Sequence, residues 1–369
     1  MLLIKRFIIS LVCFASFASA EETGQNLFMA NSAGYASHRI PAALKTNKGS
    51  LLAFCEGRKK SAVDTGDIDV VLRRSTDGGV TWSPLQIVWD DGENTCGNPC
   101  PVVDQKTGTI FLFCTWNRGD DQEGEIIKRS SKDTRRVFLL ESHDDGVTWS
   151  KAKEWTRVLK KVNWTWYATG PGAGIQIEHG KNQGRLVIAC DHVEAITNHY
   201  YSHVIFSDDH GATWQLGGNS PENQTNESEV VELESGKLML NMRSADRNTR
   251  CRKVALSDDG GVTWHSQRNE KALIDPICQA SIRRLSWKTD KQPGVILFSN
   301  AAHEQKRANM TVRASFDDGA TWPLSFVIEP NGAAYSCLIR LSDEKFFCFY
   351  ETAAYHSIRF VALDLKKLK

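Results

Sequence analysis

The chain has almost no imbalance of charge: 45 lysines and arginines stand against 44 aspartates and glutamates in 369 residues, a formal net charge of +1. A protein that grips a nucleic-acid backbone or an anionic membrane needs a basic excess, so neither partner is expected. Glycine and proline together number only 37, too few for a collagen-like or low-complexity chain. Beyond the first twenty residues no apolar run approaches the roughly 20 residues that a membrane-spanning helix needs. No cysteines and histidines are arranged at the spacing of a structural zinc site, so no metal is expected, and no cofactor is called for. What is present is a chain 41% hydrophobic and 24% charged, with enough apolar material for a real core. Its length suits two domains or one large all-β domain.

The first twenty residues differ from the rest: Lys5 and Arg6, the apolar run FIISLVCFASF, then Ala18-Ser19-Ala20 ahead of Glu21-Glu22. That order reads as a secretory signal peptide over residues 1–20, and predicts secretion to a periplasm, the extracellular space or a lysosomal-type lumen. Its removal leaves 43 basic against 44 acidic residues and nine of the ten cysteines. Nine is odd, so in an oxidising compartment at least one thiol is free or shared between chains. Cys55, Cys114, Cys190 and Cys348 lie in apolar, strand-like runs and read as small buried hydrophobes. Cys96 and Cys100, in CGNPC, are close enough in sequence to bridge a loop.

One unit recurs five times: STDGGVTW from Ser75, SHDDGVTW from Ser142, SDDHGATW from Ser207, SDDGGVTW from Ser257 and SFDDGATW from Ser315. Successive serines are 67, 65, 50 and 58 residues apart, the scale of a four-stranded propeller blade with long loops. A run rich in β-branched and aromatic residues precedes each copy, which makes each a hairpin turn. The Asp (Asp77, Asp144, Asp209, Asp259, Asp317) accepts bonds from turn amides, and the Gly supplies a positive φ. The Trp is expected to pack the returning strand into its own blade. These aspartates are read as structural.

Dividing the 349 residues after position 20 by that spacing gives about six blades. The sixth lacks the repeat and is built from KFFCFYE, HSIRFVALDL and an N-terminal strand, which closes the ring and hides the sheet edges. The expectation is an all-β, six-bladed β-propeller with five Asp-box hairpins, one domain over residues 21–369.

These boxes, together with HRIPA (His38 to Ala42), DTGDIDVVLRRS, GPGAGI (Gly170 to Ile175) and NMRS (Asn241 to Ser244), resemble the exo-α-sialidases, or neuraminidases, of glycoside hydrolase family 33. The resemblance covers nearly the whole chain after residue 20. The boxes alone also occur in non-enzymatic propellers; the Arg-Ile-Pro motif and the later arginines make the likeness specific.

Sialic acid carries a carboxylate on its anomeric carbon, and arginine, planar and always charged, holds a carboxylate through paired hydrogen bonds. By resemblance the three arginines are Arg39, Arg243 and Arg307. The same carboxylate would repel an anionic nucleophile, and sialidases are the exception among glycosidases that use a tyrosine. The resemblance places that role on Tyr335. A phenol needs a base, and the family alignment selects Glu227 over its neighbours Glu229, Glu232 and Glu234. The proton for the leaving oxygen falls to Asp64, with Asp67 as the alternative, while Asp69 is structural. Arg58 matches a further arginine near the carboxylate or the acid, and Glu351 a carboxylate that orients the first arginine. Trp164, Trp166 and Tyr167 are equally readable as pocket wall or as core, and Asp191-His192 as a satisfied structural pair. Sequons stand at Asn163, Asn223, Asn226 and Asn309.

Three functions follow. The first is hydrolysis of terminal α-linked sialic acids from glycoproteins, glycolipids or oligosaccharides, with retention through a covalent Tyr335 intermediate, by a monomer. The second is trans-sialidase chemistry, between molecules or within one. The third is an inactive carbohydrate-binding propeller, which predicts loss of the tyrosine, glutamate or acid; none is missing.

Overall fold

The structure, a computed structural model, describes residues 24–368; the signal peptide expected at residues 1–20 lies outside the described residues. The chain is all-β. Four strands, Ser37–Lys45, Leu51–Arg58, Ile68–Ser75 and Gln86–Trp89, form a first antiparallel meander. The second is Thr95–Val103, Ile110–Asn117, Arg136–Ser142 and the two-residue Lys153–Glu154. Trp164–Thr169, Leu186–Glu194, Tyr200–Ser207 and Gln215–Asn219 make the third, and Thr225–Glu232, Leu238–Ser244, Cys251–Ser257 and His265–Ile274 the fourth.

The long strand Leu324–Arg340 serves two meanders. Its residues 324–332 finish the group begun by Ser281–Ser286, Val295–Ala301 and Ala308–Ser315. Residues 333–340 open the last group, with Lys345–Thr352, Ser357–Asp364 and the N-terminal Gln25–Met29. First strands pack side by side around a common centre: Ser37–Lys45 touches both Thr95–Val103 and Leu324–Arg340, and Ser281–Ser286 touches both Thr225–Glu232 and Leu324–Arg340.

All five repeats make the same bonds. The Ser Oγ donates to the Asp at 2.8–2.9 Å, and the Gly N–H donates to that Oγ at 2.7–2.9 Å. The Thr N–H and hydroxyl both donate to the Asp carboxylate. Three of the five box tryptophans, however, reach past their own meander. Trp82 packs on Phe349 and Phe360, Trp149 on Phe54, and Trp214 on Phe111 and Phe113, all in the preceding group around the ring. For these three boxes the expectation that the Trp packs within its own blade is corrected, because a large indole at a turn finds its apolar partner across the seam between two sheets; Trp322 does pack on Phe298 of its own meander, 5.7 Å between ring centres.

All nine cysteines after Cys13 are buried and unpaired. Cys96 and Cys100 do not bridge a loop, because both lie in the strand Thr95–Val103. A bulge between Gly97 and Cys100 shifts the register, and their thiols enter different apolar clusters, Cys96 beside Leu52 and Cys100 beside Phe113. No helix among the described residues is long and apolar enough to cross a membrane.

Candidate active site

At one end of the ring the strand starts surround a cavity of about 670 Å3, lined by residues of all six meanders. The bend that aims Arg39 into it is local. Register breaks between Arg39 and Ala42, where Pro41 has no N–H to offer a ladder, and Ile40 is held at φ 60°, a costly value for a β-branched residue. What holds it is Glu351, fully buried, whose carboxylate accepts from Ile40 N at 2.8 Å, Arg39 Nε at 3.1 Å and Tyr335 N at 3.2 Å.

Tyr335, 6% exposed, donates its hydroxyl to Glu227 Oε1 at 2.6 Å. Arg243 Nη1 donates to Glu227 Oε2 at 2.5 Å and to Tyr335 Oη at 3.1 Å. Burial first, and then the Glu227 charge, push the phenol pKa well above its usual value, so the hydroxyl keeps its proton until something takes it. Arg39 and Arg307 each lie 5.4 Å from the centre of the Tyr335 ring, and Arg307 Nη1 donates to Tyr355 Oη at 3.0 Å. The three arginines therefore surround one tyrosine.

Asp64 hangs at the mouth, its side chain 70% exposed. Its Oδ1 accepts from Arg58 at 2.7 Å and from Arg39 at 3.1 Å. Partial desolvation raises its pKa, but the charges of Arg58 and Arg39 outweigh this and hold it below the usual aspartate range. Arg58 is fixed from behind by Glu56 at 2.5 Å. Asp67 does not line the cavity; it lies 3.6 Å from Lys59, and Asp69 accepts from Tyr35 at 2.6 Å. Glu229 accepts from Ser281 and the amides of Ala173 and Ile282, while Glu232 caps the amides of Glu178 and His179. Glu234 accepts from Lys288 N. Of the four glutamates in that stretch, Glu227 alone reaches Tyr335.

Trp166 lines the cavity, with the Arg135 guanidinium 4.2 Å from the centre of its ring, whereas Trp164 and Tyr167 belong to the core. Asp191 and His192 are not a pair. Adjacent strand residues face opposite sides: Asp191 lines the cavity and accepts from Asn226 Nδ2 at 3.0 Å, while His192 stacks on Trp164 at 3.5 Å with Nδ1 3.0 Å from that of His203. Burial pushes both imidazoles down, His203 to about 3, so the pair is neutral. Burial, and then Glu227 and Glu123, push the Asp191 carboxyl well up; its Oδ1 is buried without a hydrogen-bond partner among the described residues. Arg135, Asp191 and Tyr355 were absent from the residues expected here: no motif marks them, and single arginines, aspartates and tyrosines are common.

A model of the BNR repeat-like domain matches residues 49–348. A sialidase of Micromonospora viridifaciens is 34% identical over 356 residues, which cover 93% of this chain and 54% of that protein. An exo-alpha-sialidase of Arthroderma benhamiae is 31% identical over 93% of this chain and 84% of its own length. The chain thus spans about half of the bacterial relative and most of the fungal one. Among solved structures, the Hadza microbial sialidase Hz136 superposes with a TM-score of 0.85 at 32% identity, over 94% of this chain and 69% of that one. Its β-propeller architecture is the architecture of the strands described above. With the repeat-domain match and relatives of this similarity over this much of their length, the chain belongs to the sialidase family of BNR-repeat proteins.

Proposed function

We propose that the protein is a secreted exo-α-sialidase that hydrolyses terminal α-linked sialic acids with retention, through a covalent intermediate on Tyr335. In this reading the six meanders are the blades of one propeller domain, residues 21–369, that follows a cleaved signal peptide. The observation that carries it is the 2.6 Å hydrogen bond from Tyr335 to Glu227 among Arg39, Arg243 and Arg307.

Within the pocket Arg39 shares its charge between Glu351 and Asp64. A substrate carboxylate that docks on Arg39, Arg243 and Arg307 competes with Asp64 for Arg39. Asp64, released from one guanidinium and shielded by the sugar, gains the proton affinity that a general acid needs. The anomeric carbon then lies over Tyr335. As Oη bonds to it, the phenolic proton passes to Glu227, and Asp64 gives its proton to the departing glycosidic oxygen. Arg243, bonded to both Tyr335 and Glu227, stabilises the charge that develops between them. In the second half Asp64 takes a proton from water, the resulting hydroxide attacks the same carbon, and Tyr335 departs with its proton restored from Glu227. Two displacements on one carbon give retention.

The test is a fluorogenic α-sialoside with NMR of the released sugar, together with a 3-fluorosialyl fluoride probe. The wild type is expected to release the α-anomer first and to carry the label on Tyr335; Tyr335→Phe should lose about a hundredfold or more in kcat and take no label. A label on Asp64 or Glu227 would sink the nucleophile assignment. A sialylated acceptor or an anhydro sugar as the main product would replace hydrolysis by transfer, and an inactive wild type would leave a binding propeller.

A further inference from the structure

Two of the three clamp arginines rest on carboxylates, Arg39 on Glu351 and Arg243 on Glu227. Arg307 has no carboxylate within ion-pair range among the described residues, and its guanidinium makes one hydrogen bond, from Nη1 to Tyr355 Oη at 3.0 Å. The ring of that same tyrosine lies against the Arg39 guanidinium, 4.0 Å from ring centre to the carbon of the group. One side chain therefore touches two clamp arginines, one through its hydroxyl and the other through its face, and it does so from outside the cavity lining.

The backbone that delivers it is strained. Ala354 at φ 52° and Tyr355 at φ 56° are consecutive non-glycine residues in the left-handed region, which persists only where the surroundings fix it. Those surroundings are Ile40, Cys278, Ala334 and Tyr335, on which Tyr355 packs. Tyr355 follows Glu351 by four residues, so one strand end supplies the carboxylate behind Arg39 and the ring beside it. The choice of a neutral acceptor has a consequence. A carboxylate at this point would neutralise Arg307 and weaken its pull on an incoming carboxylate, whereas a phenol orients the guanidinium and leaves its charge uncancelled.

We propose that Tyr355 is the positioning residue of the carboxylate clamp, holding Arg307 by its hydroxyl and Arg39 by its ring. The proposal rests on the sialidase reading. Tyr355→Phe keeps the ring and removes only the hydroxyl. Because the clamp holds substrate and transition state alike, that variant should raise KM for an α-sialoside, and the dissociation constant of an unsaturated sialic acid analogue that bears the carboxylate, by about tenfold or more, with kcat far less changed. In an Arg307→Ala background the same substitution should add almost nothing, since the group it acts through is gone. Tyr355→Leu, which also removes the ring beside Arg39, should raise KM further than Tyr355→Phe.

Wild-type KM and analogue affinity in a folded Tyr355→Phe protein would overturn the proposal. So would a full, multiplicative loss in the Arg307→Ala background, or a fall in kcat and thermal stability with KM unmoved, each of which marks a merely structural side chain. If the wild type itself fails to cleave or bind sialosides, the underlying reading falls; if the wild type is active and Tyr355→Phe equals it, only this inference does.

Discussion

The ammonium of Lys160 has three oxygens at 2.6 Å, Thr134 Oγ1 and the carbonyls of Arg135 and Thr165, and no carboxylate in ion-pair range among the described residues. Burial, and next the Arg135 charge, push its pKa down to about 7. The unfolded chain binds this proton up to about pH 10.5, whereas the folded chain releases it near 7. Between those values the unfolded state holds more protons, so folding gains as pH rises; below 7 both states are protonated and the contribution is flat. The stability of wild type relative to Lys160→Met should therefore be constant below pH 7 and grow above it, by at most about 1.4 kcal/mol per pH unit. Urea unfolding at pH 6, 7, 8 and 9 reads this directly, and a difference that stays flat through pH 9 would refute it. Lys160 abuts the backbone of Arg135, a pocket residue, so its hydrogen bonds link the wall of the cavity to the sheet behind it.

At the scale of the element, the box glycines show why the repeat tolerates so little change. Each has a positive φ, but a second demand is visible only in the ring. A Cβ on Gly79 would meet Phe347, on Gly146 Leu52, on Gly211 Phe111, on Gly261 Val204 and on Gly319 Met239, all at 3.0 Å or closer and all in the preceding meander. The turn is thus pressed against its neighbour, on the seam that the Trp also fills. Gly78 has φ 75° and nothing within 4 Å. Gly78→Ala should cost about 1 kcal/mol, for backbone strain alone. Gly211→Ala, which adds a collision at 2.0 Å with Phe111, should cost about 2–4 kcal/mol. Equal urea midpoints for the two variants would show that the seam gives way freely.

For the whole molecule, closure depends on the N-terminal strand Gln25–Met29, which pairs with Ser357–Asp364. Phe28 is 1% exposed, in a cluster with Ile339, Phe347, Phe349 and Phe360, so it bonds the two ends of the described chain through apolar contact as well as through the ladder. Phe28→Ala should cost about 3–5 kcal/mol while leaving KM unchanged, because Phe28 does not line the cavity. A variant with wild-type unfolding behaviour would mean that the ring is held elsewhere.

The division between sequence and tertiary structure follows the range of the bonds involved. Each Asp box closes through hydrogen bonds between residues two to four apart, so eight letters suffice to specify the turn, and its recurrence implies the repeating sheet. Arg39 and Glu351 stand 312 residues apart, Glu227 and Tyr335 108; nothing local in either segment points to the other, and only the family likeness brought them together on paper. Where no motif served as a guide, the reading failed at the same boundary. Asp191 and His192 are neighbours in the chain yet face opposite sides of a strand, and the indoles of Trp82, Trp149 and Trp214 found their partners in the sheet before their own. Sequence alone determined the turns, because those satisfy their hydrogen bonds from within, and the strands between them, because each pairs with a neighbour close in the chain across one meander. Closure of the ring decided the rest, because it alone brings six strand starts around one cavity and sets the distance and burial of every charge in it.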